Sequence, residues 1–171
     1  MARWWPGRKS SWPGSYCRRA ARSVTHTPYN VSLFTRLAEE SHRLGVPLIG
    51  EIFSVPELRL EPKAFHDYVV KTCRIACELG ADAIKTFYTG ERFAEVTAGT
   101  PLPIFALGAE KLAQETEALD LAYRAIQSGA RGIVFGRNVL QADDPARFLH
   151  GLKNVVQQSA RPHEVYQALT K

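Results

Sequence analysis

A chain of 171 residues, 45% hydrophobic and 23% charged, has an ordinary globular composition and the length for one core. Its net charge of +5 comes from the start of the chain, where residues 1 to 29 hold six basic side chains and no acidic one; the remainder carries 16 basic against 17 acidic. A near-neutral body argues against nucleic acid as a partner, and no run of 18 or more apolar residues marks a membrane span or secretory signal, so the expectation is a cytoplasmic protein with neither partner.

The opening stretch MARWWPGRKSSWPGSYCRRAARSVTHTP holds Trp4, Trp5 and Trp12, lacks acids and shows no helical or strand periodicity. It reads as an irregular basic arm, residues 1–29, either disordered or not the natural start of the domain. Trp-richness favours the second reading, because disordered segments are poor in aromatic residues.

From Asn30 the texture changes, and amphipathic stretches alternate with short apolar runs. Residues 31 to 44 place Val31, Phe34, Leu37, Ala38 and Leu44 on one helical face, with Asn30 as the cap and Gly45 as the stop. A strand VPLIGEIF (46–53) follows. Pro62 opens the next helix, whose stripe of Phe65, Val69, Cys73, Ile75, Ala76 and Leu79 ends at Gly80. Cys73 and Cys77, at i and i+4, read as buried reduced thiols. A metal would want more ligands than His66, the one other candidate in that stretch, and no metal site is expected.

The strand ADAIKTFY (81–88) comes next, then a short helix at 91–98, the strand LPIFALG (102–108), a helix at 114–128 stopped by Gly129, and the strand ARGIVFG (130–136). Asp143 or Asp144, with Pro145, caps a helix running to about Gln158, and residues 162 to 170 add a last helical turn or two. Four strands, each followed by a helix, predict a parallel sheet: either a piece of a barrel or a doubly wound domain. The second lacks a G-x-G-x-x-G at any strand–helix turn.

In parallel α/β folds reactive groups collect at the carboxyl ends of strands. Lys85 lies within an apolar strand, where a lysine is costly unless paired or used. A desolvated amine can attack a carbonyl and form a Schiff base; the alternative is a structural ion pair with Glu51, which ends the preceding strand. Glu51 is read either as a proton-transfer group or as a counter-ion for Lys85 or Arg137, and Tyr88 as a further acid. Tyr123 falls on a helix and reads as packing. Gly108 with Ala109, and Gly136 with Arg137, end the last two strands and suit an anion held by backbone N–H groups and one guanidinium.

GADAIKTFYTGERF, followed by LPIFALGAEK and GARGIVFGRNVLQADDP, resembles the archaeal-type class I fructose-bisphosphate aldolase family, a relative of deoxyribose-phosphate aldolase that also includes an acyl-transferring thiolase of autoinducer-2 phosphate processing. The resemblance covers residues 30–171 and implies the C-terminal half of a (β/α)8 TIM barrel, its strands 5 to 8. A complete barrel takes about 200 to 250 residues. It also implies Lys85 as the Schiff-base lysine and Gly108, Ala109, Gly136 and Arg137 as the phosphate site, with Asn138 completing the Gly-Arg-Asn. The substrate would be a small phosphorylated carbonyl compound, the assembly a homo-oligomer, and no cofactor is implied. Two departures stand out: Ala109 replaces a second glycine, and Phe53 stands about where the fructose-bisphosphate enzymes place an acid-base tyrosine. The family's strand-1 acid has no counterpart here. A non-catalytic half-barrel that dimerises or aggregates through its open edges is the rival reading.

Overall fold

The computed structural model describes residues 27–53, 61–108 and 110–169, so the arm expected over residues 1–29 lies almost wholly outside the described residues, as does Ala109. The elements are α1 (Thr27–Arg43), β1 (Ile49–Glu51), α2 (Pro62–Glu78), β2 (Ala83–Phe87), α3 (Phe93–Ala98), β3 (Ile104–Leu107), α4 (Glu115–Gln127), β4 (Gly132–Val134), α5 (Arg137–Leu140), α6 (Pro145–Gln158) and α7 (Pro162–Leu169). The four strands form one parallel sheet in the order β1-β2-β3-β4, with helices carrying each crossover.

Local chemistry sets the helix ends. Pro62 and Pro145 sit in first turns, where a missing N–H costs nothing, and Asp144 Oδ1 accepts from Arg147 N at 3.0 Å. Glu117 Oε2 accepts from Gln114 N at 3.2 Å to start α4. Gly80 and Gly129, at φ +98° and +92°, turn the chain out of α2 and α4 in a conformation that a Cβ would strain. The expected start of α1 needs correction: Asn30 lies inside a helix that begins at Thr27, with Pro28 in its first turn.

Strands alternate side chains across the sheet, and the described helices pack on one of its faces. Ile52, Ile84, Ile104 and Ala106 point to the helices and are buried against Val69 and Cys73 of α2, Phe93 and Val96 of α3 and Ala125 of α4. A second cluster, Leu119, Ala122, Phe148, Leu152, Val155 and Val165, joins α4, α6 and α7. On the opposite face Ile49, Phe53 and Val134 are exposed. Beyond β1 and β4 the described residues add no strand. No helix among the described residues is long and apolar enough to cross a membrane.

Candidate active site

The parallel register brings the chemistry into rows on the open face. Glu51 is the lateral partner of Lys85, Lys85 of Phe105, and Phe105 of Gly132. Gly132 keeps this row flat: a Cβ there would meet the Phe105 ring at 2.9 Å. One step toward the carboxyl ends, Phe87, Leu107 and Val134 form the next row, and Phe53 stacks edge-on against Phe87 with centroids 5.9 Å apart. The ring of Phe65 meets Phe87 at 5.6 Å.

Lys85 Nζ and Glu51 Oε1 form an ion pair beneath this aromatic rim, and their side chains remain 27% and 31% exposed. The structure places Lys85 on an interior strand and next to the Glu51 carboxylate, the partner that the sequence offers as the alternative to a desolvated amine. Partial exposure leaves the amine reachable, and the contact gives its proton a direct acceptor.

Tyr88 lies elsewhere. It falls an odd number of residues from Lys85, and its ring stacks edge-on against Phe93 at 5.2 Å, packed on the helix-side core. The pair Lys85 and Glu51 is brought together; Tyr88 is not part of that row. Tyr123 packs on the α4–α6–α7 cluster.

The last two strand ends converge. Gly108 N donates to Val134 O at 3.3 Å, so the loop after β3 begins against the end of β4. A Cβ on Gly108 would lie 2.7 Å from Phe135 Cδ1 and 3.0 Å from Asn138 Nδ2, whereas one on Gly136 would meet nothing within 4 Å. Gly136 caps the one-turn helix α5, and Arg137 is exposed at its start. Neither glycine has positive φ. Gly108 thus answers to close packing and Gly136 to no steric demand.

Behind the end of β2, His66 is 2% exposed and joins three elements. Its Nε2 lies 3.3 Å from Glu95 Oε2 and its Nδ1 2.8 Å from Thr89 Oγ1. The paired Arg92 guanidinium holds the Glu95 carboxyl well down, to about 2, with His66 adding to it. The two ring nitrogens thus face one carboxylate and one hydroxyl, tying α2 to the loop after β2 and to α3. His66 is a structural strap here, apart from the cysteines: Cys73 is buried, Cys77 half-buried, both are free thiols, and no metal-binding group occurs among the described residues.

Comparison with known proteins bears on this geometry. The sequence matches the profile of DeoC/LacD family aldolases over residues 21–142. The 3-hydroxy-5-phosphonooxypentane-2,4-dione thiolase of Klebsiella pneumoniae is 33% identical over 154 residues, 88% of this chain and 50% of that protein. The enzyme of that name from an Enterobacter species is 33% identical over 138 residues, 81% and 45% of the two chains. Among solved structures, an archaeal fructose 1,6-bisphosphate aldolase aligns with a TM-score of 0.65 and 29% identity, and a Schiff-base-forming fructose-1,6-bisphosphate aldolase with 0.66 and 30%; each covers 74% of this chain and 51% of the other. The four βα units match part of the (β/α)8 barrel of these aldolases, and the chain spans about half the length of the curated relatives it matches.

Proposed function

Because the chain belongs to the DeoC/LacD aldolase family, we propose that Lys85 forms a Schiff base with a small phosphorylated carbonyl compound and that the adjacent C–C bond is cleaved or formed, as in a class I aldolase. The observation that carries this reading is the Lys85–Glu51 pair, set side by side on neighbouring strands of the uncovered face. The amine attacks the carbonyl carbon after passing a proton to Glu51. One nitrogen proton passes to the carbinolamine oxygen, Glu51 returns the other to it, and that oxygen leaves as water, giving an iminium. The Glu51 carboxylate takes the proton of the hydroxyl beyond the scissile bond, that fragment leaves as a carbonyl compound, and the C–C electrons flow onto the iminium nitrogen to give an enamine; its carbon takes the proton back from Glu51, and water hydrolyses the iminium to free Lys85.

Gly108, Gly136 and Arg137 hold the phosphate, a role supported by the convergence of their two loops at the same end of the sheet. Their contribution is orientation of the carbonyl toward Lys85. Self-association is supported by the apolar side chains Ile49, Phe53 and Val134 left bare on the reactive face.

A second reading, acyl transfer from a phosphorylated diketone, is favoured by two observations. The relatives at 33% identity carry the name of a thiolase, and Phe53 offers no hydroxyl where the fructose-bisphosphate enzymes place their tyrosine. Both readings share the Lys85 adduct. Intact-mass spectrometry after borohydride reduction with dihydroxyacetone phosphate should give a stable mass increase in the native chain and none in Lys85→Ala. Soluble, folded protein without an adduct would refute the Schiff base in this chain.

A further inference from the structure

We propose that Asn138 is the positioning residue of the phosphate site, fixing the loop after β3 to the segment after β4; this rests on the phosphate reading above. Asn138 is 4% exposed although it belongs to a one-turn helix whose Arg137 and Leu140 are exposed. A carboxamide buried at a rim needs partners for two N–H groups and an oxygen. It has them: Nδ2 donates to Gly108 O at 3.0 Å and to Glu110 O at 3.1 Å, and Oδ1 accepts from Leu112 N at 2.8 Å. Two carbonyl acceptors and one N–H donor also settle which way the amide faces.

These three bonds tie described positions 108, 110 and 112 to one side chain on the other loop. The Lys111 ammonium adds a fourth tie to Gln141 O, just beyond α5. A trans peptide points its N–H opposite to its C=O, so holding the Glu110 carbonyl also fixes the direction of the Lys111 amide. Backbone recognition of a phosphate works only if the N–H groups hold their places before the ligand arrives. Asn alone meets the demand at this length: aspartate lacks the donors, leucine leaves three backbone groups unpaired, and glutamine adds a methylene against a carbon-free position at Gly108.

The test compares borohydride trapping at Lys85 by dihydroxyacetone phosphate and by unphosphorylated dihydroxyacetone. Native protein should be half-trapped at a lower concentration of the phosphorylated ligand. Asn138→Ala and Asn138→Asp should each raise that concentration about tenfold for the phosphorylated ligand and leave it unchanged for the other. A merely structural residue would move both ligands alike, and that outcome overturns the proposal, as does an unaltered preference in both variants. A native chain that is trapped without preference for phosphate, or not at all, overturns the phosphate reading and this inference with it. Should neither variant fold, hydrogen exchange on the native chain decides: the Leu112 amide should be protected before any ligand is added and inorganic phosphate should slow exchange at Lys111, and an unprotected Leu112 or an unchanged Lys111 rate overturns the proposal.

Discussion

Two glycines that the sequence treats alike differ in what a methyl group would meet. In Gly108→Ala the new Cβ falls 2.7 and 2.9 Å from Cδ1 and Cγ of Phe135 and 3.0 Å from Asn138 Nδ2. The Phe135 ring is wedged against the α4–α6–α7 cluster and Asn138 is held by three hydrogen bonds, so neither neighbour yields without loss. Overpacking of this kind costs about 1 to 3 kcal/mol. In Gly136→Ala nothing lies within 4 Å, and the φ of −91° suits an L residue. The gain from a stiffer unfolded chain is then about 0.4 to 1 kcal/mol. The two variants should therefore separate by roughly 1.5 to 4 kcal/mol in urea denaturation, with native-like m-values, or by several degrees in Tm. Equal stabilities would refute the reasoning, because they would mean that the Phe135 and Asn138 contacts do not exist in solution. Gly136→Ala, being sterically free, also isolates function: any loss of phosphate-dependent trapping in it comes from the site and not from the fold.

The Lys85–Glu51 pair is about a quarter to a third exposed, so a double-mutant cycle with Lys85→Met and Glu51→Gln should give a coupling of about 1 kcal/mol in stability while Lys85→Met abolishes trapping; a cost of several kcal/mol would favour a structural ion pair. Burial pushes the Cys73 thiol up to about 11, with the Thr86 hydroxyl opposing it, so iodoacetamide at pH 8 should label Cys77 well before Cys73. Because the folded value lies above the ordinary 9.0, this thiol's contribution is whole below pH about 9 and lost as pH rises through 11, and Cys73→Ala should show a flatter alkaline decline in urea midpoint. Glu95 is held at about 2 chiefly by Arg92; its contribution is present above pH about 4.5 and lost as pH falls toward 2, and Arg92→Ala should move its carboxyl resonance in carbon NMR back toward the ordinary 4.5.

Helices were the legible part of the fold, because amphipathic stripes end at glycines that take positive φ. The apolar runs overstate the strands. The run VPLIGEIF extends from 46 to 53, yet the ladder holds only Ile49–Glu51. At its start, Leu48 N donates to the Asp82 carboxylate at 2.7 Å while Asp82 N donates to Leu48 O, so a side chain takes one place a ladder would fill. At its end, Phe53 O is taken by the Tyr68 hydroxyl at 2.8 Å. Apolar patterning marks which residues are buried, not where backbone pairing gives way to side-chain partners. Helix α5 escaped for another reason: four residues are too few to show a 3.6-residue period.

The site divides along the same line. Lys85 and Glu51 were legible because each is a charged residue within or at the end of an apolar run, and the register of two neighbouring parallel strands sets them side by side. Strand parity carried information about Tyr88 too: residues 85 and 88 differ by an odd number, which sends their side chains to opposite faces while the chain stays extended. What no local pattern carries is a contact across the fold. His66 reaches Thr89 and Glu95 over 23 and 29 residues, and Asn138 reaches back 26 to 30 residues to the loop after β3. Polar side chains of this kind have no periodicity, since each answers to a few backbone groups in one place. The sequence signal at Asn138 was only its adjacency to Gly136 and Arg137. Its three bonds give a physical reason for that adjacency: Gly136 and Arg137 stay exposed while the next side chain is turned inward, holding the opposite loop.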